Sequence, residues 1–90
     1  MRRIRFLVAG RVQGVAFRAA TESAARRLGL VGFVQNRRDG KVEGEAEGPD
    51  AALTEFATWL WKGSPWSRVD EVQVDDLPVA GSDTVFDVRH

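Results

Sequence analysis

The chain has 90 residues, 43% of them apolar and 29% charged, and its 13 basic and 13 acidic side chains cancel to a net charge of zero. This is the composition of one ordinary globular domain, taken as residues 1–90, and not the positive balance of a general nucleic-acid binder. There is no cysteine, and His90 is the single histidine, which excludes a disulfide frame, a thiolate nucleophile and a histidine-cluster metal site within one chain.

Ile4, Phe6 and Val8 fall on one face of Arg3–Ala9, the alternation of a strand. Phe17, Ala20, Thr21, Ala24 and Leu28 then recur at helical spacing, and Gly29 supplies the stop. Val31–Asn36 reads as a second strand. Asp39-Gly40 signals a hairpin with a loop of two or four residues. In Val42–Glu47, Val42, Gly44 and Ala46 alternate with Glu43, Glu45 and Glu47, so the glutamates are expected to face water.

Pro49 and Asp50 suit the start of a second helix and Gly63 its end, with Leu53, Phe56, Ala57 and Leu60 as the inward stripe. Trp59 and Trp61 cannot both face the core at helical spacing. "SPWSR" is a loop, Val69–Val74 a fourth strand, Pro78–Asp83 a break, and Val85–Arg89 a short last strand. The order β-α-β-β-α-β plus a terminal strand predicts an α+β, ferredoxin-like sandwich, an antiparallel sheet with two helices on one face. Crossover handedness places the third strand between the first and second.

The stretch "GRVQGVAFR", Gly10–Arg18, joins the first strand to the first helix. A helix start leaves backbone N–H groups unpaired and carries partial positive charge. Gly10 and Gly14 let the chain curl so that successive N–H groups converge. Arg18 can lay a planar guanidinium over the same hollow, a donor set that suits a phosphate, sulfate or carboxylate. Gly-x-x-x-Gly spacing alone is a weak signal, and Phe17 reads as core.

With the second stretch "GFVQNRRDGKVEGEAEG", Gly32–Gly48, the pattern becomes specific. The two stretches resemble, in order and spacing, the two signatures of the acylphosphatase family, and the resemblance extends through the "GP" helix start to the ending Phe86–Arg89. It implies hydrolysis of carboxyl–phosphate mixed anhydrides, without metal or cofactor. It also implies Arg18 and Asn36 as catalytic residues. Gln13, Gly14, Val15, Ala16, Phe17 and Arg18 would form the substrate-binding cradle. The alternative is a phosphate- or acyl-phosphate-binding module of the same fold without turnover.

Phosphoryl transfer asks a protein mainly for positioning and charge stabilisation. A carboxylate leaving group departs without a proton, so a general acid is dispensable. Asn36, a neutral amide, can hold a water but cannot take its proton. Arg11 is expected either to steer anions at the substrate rim or to be a solvated surface residue. Thr21 is expected to be structural, and a chain-end carboxylate near "VRH" is expected to hold Arg18.

Residues 1–41 carry ten basic and two acidic side chains, and residues 42–90 three and eleven. Folding is expected to interleave these halves and neutralise them. The three strand glutamates argue against RNA on the sheet face. The apolar run Phe6–Ala9 is too short for a signal-peptide core and nothing approaches a membrane span. The expectation is a cytoplasmic monomer with a small acyl phosphate substrate and no nucleic-acid or membrane partner.

Overall fold

A computed structural model describes residues 1–90. It contains β1 (Arg2–Arg11), α1 (Phe17–Arg27), β2 (Val31–Asn36), β3 (Val42–Gly48), α2 (Asp50–Lys62), β4 (Arg68–Leu77) and β5 (Phe86–Arg89). The five strands form one sheet in the order β4-β1-β3-β2-β5. β3 therefore lies between β1 and β2, and the first four strands pair antiparallel. β5 adds to the edge of β2 in parallel, making the sheet mixed. No helix is long and apolar enough to cross a membrane.

Both helices cover the face that carries Ile4, Phe6 and Val8. Fourteen buried residues form the core, including Phe17 and Ala25 of α1 and Leu53, Phe56 and Leu60 of α2. Phe6 meets Phe56 edge-on at 5.3 Å between ring centroids, and Phe56 meets Phe86 at 6.1 Å. Gly44 stands opposite Phe6 in the β1–β3 ladder. A Cβ there would lie 2.5 Å from the Phe6 ring, so this small residue on the buried face makes room for the central aromatic stack.

The other sheet face departs from the expected water-exposed glutamates. Glu47 and Arg3 are both about 95% buried. The connection between β4 and β5 has to cross from one edge of the sheet to the other, and it passes over this face. Arg3 donates to Glu45 at 2.7 Å, to Asp83 of the connection at 2.8 Å and to Glu47 at 3.2 Å. Glu47 also accepts the backbone N–H of Ala80 at 2.9 Å. That bond, with Arg3 beside it, outweighs burial and holds the Glu47 carboxyl below its ordinary value. Burial alone would lower the Arg3 pKa, but its three carboxylates raise it.

β4 runs three residues past Val74 to Leu77. Its apolar alternation stops earlier because it is an edge strand, held there by the ladder to β1 and by Arg2–Asp76 at 2.8 Å. The β2–β3 hairpin turns through three residues, Arg38–Gly40, closed by Arg37 N–H to Lys41 O at 2.8 Å. It is neither of the two lengths expected.

Candidate active site

β1 and β2 run parallel on either side of β3, so their ends, Arg11 and Asn36, reach the same end of the sheet. β5 ends there too, because it pairs in parallel with β2 and places Arg89 beside Gln35. The β1–α1 loop starts from this end. Gly14 sits at φ 74°, a left-handed conformation natural to glycine. Ala16, at the helix N-cap, sits at φ 58° and ψ 24°. For a residue with a Cβ this costs roughly 1–2 kcal/mol, and such strain persists only where the surroundings enforce it.

None of the backbone N–H groups from Val12 to Ala16 donates a hydrogen bond within the chain. The start of α1 has no side-chain cap either. The loop and first helical turn thus present a run of unsatisfied donors backed by the helix dipole, an anion cradle. Gly10 does not take part. It lies in β1 at an irregularity in the β4 ladder, where a Cβ would strike the Arg68 carbonyl.

Side-chain hydrogen bonds to two other loops fix the cradle. Gln13 Nε2 donates to Arg37 O at 2.6 Å and Lys41 O at 2.9 Å. Ser64 Oγ donates to Val15 O at 2.9 Å. These side-chain bonds go beyond the place of Gln13 in the cradle segment and of "SPWSR" as a loop. A glutamine between two glycines and a serine after a helix-ending glycine carry no separate signal of these contacts.

Arg18 is half-buried in the first turn of α1. Its Nη1 donates to the backbone carbonyl of Arg89 at 2.9 Å and lies 3.4 Å from His90 Nδ1. The C-terminal segment does hold Arg18, but through a neutral carbonyl, not the expected chain-end carboxylate. β5 is itself anchored there. The Arg89 guanidinium stacks 3.7 Å over the Phe33 ring, and Arg26 donates to Phe86 O at 3.1 Å and 3.2 Å. No carboxylate pairs with Arg18, so its charge stays available.

Asn36 ends β2 with its side chain exposed and free of hydrogen bonds within the chain. It shares with Gly14, Ala16, Arg18, Val88 and His90 a hollow of about 220 Å³, and no aspartate or glutamate lines that hollow. The hairpin beyond Asn36 is tied down by Glu43. Gln35 donates to this carboxylate at 2.8 Å and Arg37 at 3.2 Å, which together keep its pKa below the ordinary value against the effect of burial.

The remaining candidates separate cleanly. Phe17 is core, 5.8 Å from the Trp59 ring, and contributes only its backbone to the cradle. Thr21 is fully buried and its hydroxyl donates to Phe17 O at 2.8 Å, a structural bond. Trp59 is half-buried and Trp61 exposed. Arg11 does not line the hollow; it stands with Trp66 and Arg68.

The family model "Acylphosphatase" matches residues 4–88. An acylphosphatase of Anaeromyxobacter sp. is 48% identical over 98% of this chain and 95% of its own length. One from Rubrobacter xylanophilus is 44% identical over 98% of this chain and 80% of its own length. The crystal structure of acylphosphatase from Bacillus subtilis superposes with a TM-score of 0.96 over the full length of both chains, at 39% identity. The signatures, the fold and these relatives agree, and the chain belongs to the acylphosphatase family.

Proposed function

We propose that the hollow beside Arg18 is the active site of a metal-independent acyl phosphate hydrolase. One observation supports this most: unsatisfied N–H groups, an arginine without a carboxylate, and a free asparagine amide line the same hollow. The N–H groups of the Gln13–Arg18 segment bind the phosphoryl oxygens. Arg18 adds a charge-assisted fork, since its contacts with Arg89 O and His90 Nδ1 both use Nη1 and leave Nε and Nη2 free. Both gain strength as charge spreads over those oxygens in the transition state.

Asn36 holds the attacking water in line with the leaving carboxylate. The water's oxygen bonds to phosphorus as the P–O bond to the acyl group breaks, giving a carboxylate and inorganic phosphate. Asn36 cannot accept the proton, so a substrate oxygen takes it. All of these groups come from one chain, so a monomer suffices. A phosphate-binding module without turnover would need Arg18 but not a second, unbonded amide across the hollow.

The test is phosphate release from benzoyl phosphate, with chelator present, by the wild type, Arg18→Gln and Asn36→Ala. Turnover by the wild type, lost in both folded variants and indifferent to chelator, is the expected result. A folded, phosphate-binding wild type without turnover would make this a binding module.

A further inference from the structure

Arg11, Trp66 and Arg68 line a second hollow of about 240 Å³. It lies at the same end of the sheet as the cradle, since Arg11 and Arg68 pair directly where β1 ends and β4 begins. The two hollows flank one loop. Val12, next to Arg11, is part of the cradle hollow, and Ser64, two residues before Trp66, bonds Val15.

Two features of this second hollow are unfavourable as bare structure. Like charges directly opposite on neighbouring strands repel. Arg11 has neither an ion pair nor a side-chain hydrogen bond, and Arg68 meets only Asp70, at 3.3 Å, with both side chains more than half exposed. Trp66 is 73% exposed, although its loop is closed by Ser67 N–H and Oγ bonding to Ser64 O at 3.0 Å and 2.7 Å. The ladder irregularity at Ala9/Gly10 sets the Arg11–Arg68 register, and bulges of this kind re-aim side chains beside functional sites. An anion between the guanidinium groups would relieve the repulsion, and a planar stem would cover the indole.

We propose that Arg11, Arg68 and Trp66 form a second subsite for a distal carboxylate or phosphate on the acyl part of the substrate. The enzyme then favours acyl phosphates whose planar or compact acyl group carries a further negative charge. This inference rests on the cradle being the acyl phosphate site.

The experiment compares kcat/KM for benzoyl phosphate and para-carboxybenzoyl phosphate at high salt, where long-range steering is screened. The enzymes are the wild type, Arg11→Gln, Arg68→Gln, Trp66→Ala and, as a charge-matched control, Arg38→Gln. The wild type is expected to prefer the carboxylated substrate by about tenfold, the scale of one charge-assisted contact. Arg11→Gln and Arg68→Gln bring the ratio close to unity, Trp66→Ala lowers it, and Arg38→Gln leaves it unchanged.

No preference in the wild type, or a preference that survives both arginine variants or falls equally with Arg38→Gln, overturns the proposal. So does equal use of both substrates combined with Arg11-dependent inhibition by free terephthalate, which would make this a site for a separate anion. Failure of the wild type to hydrolyse benzoyl phosphate would bring down the reading of the cradle, and this subsite with it.

Discussion

Arg3 and Arg18 stand near opposite ends of the molecule and receive opposite treatment. Arg3 is buried against three carboxylates, Glu45, Glu47 and Asp83. Arg18 is held by the neutral Arg89 carbonyl and faces a hollow that no aspartate or glutamate lines. Both guanidinium groups are positioned, but only one has its charge cancelled. The same division follows β1 itself. Arg2, Arg3 and Arg5 near its start all have carboxylate partners, whereas Arg11 at its end has none. Positioning an arginine with a carbonyl keeps it available to an anion; positioning it with carboxylates makes it a structural clamp.

Removing each arginine in turn separates the two roles. Arg18→Gln is expected to lower kcat/KM for benzoyl phosphate by about 10²–10³-fold or more, with the thermal midpoint close to wild type by circular dichroism. Asn36→Ala should lower kcat by about 10²-fold while inorganic phosphate still inhibits competitively, since the cradle is intact. Loss of phosphate affinity along with turnover would place Asn36 in anion binding instead.

Arg3→Met should do the reverse. It leaves Glu47 buried beside the remaining backbone donors without its cation, and is expected to cost about 2–4 kcal/mol in denaturant unfolding. The activity per folded molecule should change little. A large fall in kcat without a fall in stability would show that the clamp acts on the site through β5.

The clamp also sets an acid limit. The Glu47 and Glu43 carboxyls lie below their ordinary value of 4.5 in the folded chain. Between folded and unfolded values the unfolded state binds more protons, so stability rises with pH across that window. The stabilisation is therefore complete above the unfolded value and is lost as pH falls through the folded values. Unfolding midpoints measured against pH should be level near neutrality and drop below about 4.5, with a shallower slope in Glu47→Gln. The smallest effect is expected at the cradle's support. Ser64→Ala removes one hydrogen bond to Val15 and should raise KM about fivefold, leaving the thermal midpoint within a few degrees.

Most of the fold was legible because the apolar alternation of β1, β2 and β3 and the stripes of both helices reflect burial in a single core. The end of β4 was not, because Asp75 and Asp76 are held by pairing at an edge and not by burial. The burial of Glu47 in β3 was not legible for a related reason. Period-two alternation shows which residues share a face, but not that the β4–β5 connection will cover that face. The expected neutralisation of the two charge halves holds for Arg2, Arg3, Arg5 and Arg37, which pair with carboxylates of the acidic half, and fails for Arg11 and Arg18.

At the site, Gly14, Arg18 and Asn36 were legible from the two signature stretches, and the hollow brings them together. The role given to Gly10 was not confirmed, because φ-permissive glycines serve close strand approach as well as curled loops. The left-handed Ala16, the Gln13 and Ser64 contacts and the Arg89 carbonyl had no sequence signal. They depend on which loops meet, a matter of tertiary geometry.

The most direct measurement is a backbone-amide NMR titration with inorganic phosphate. Saturable shifts of the Gly14–Ala19 amides, weakened in Arg18→Gln, are expected, while the amides around Arg3 and Glu47 stay in place. Saturable shifts elsewhere, with the Gly14–Ala19 amides unmoved, would contradict the assignment of this cradle as the phosphoryl site.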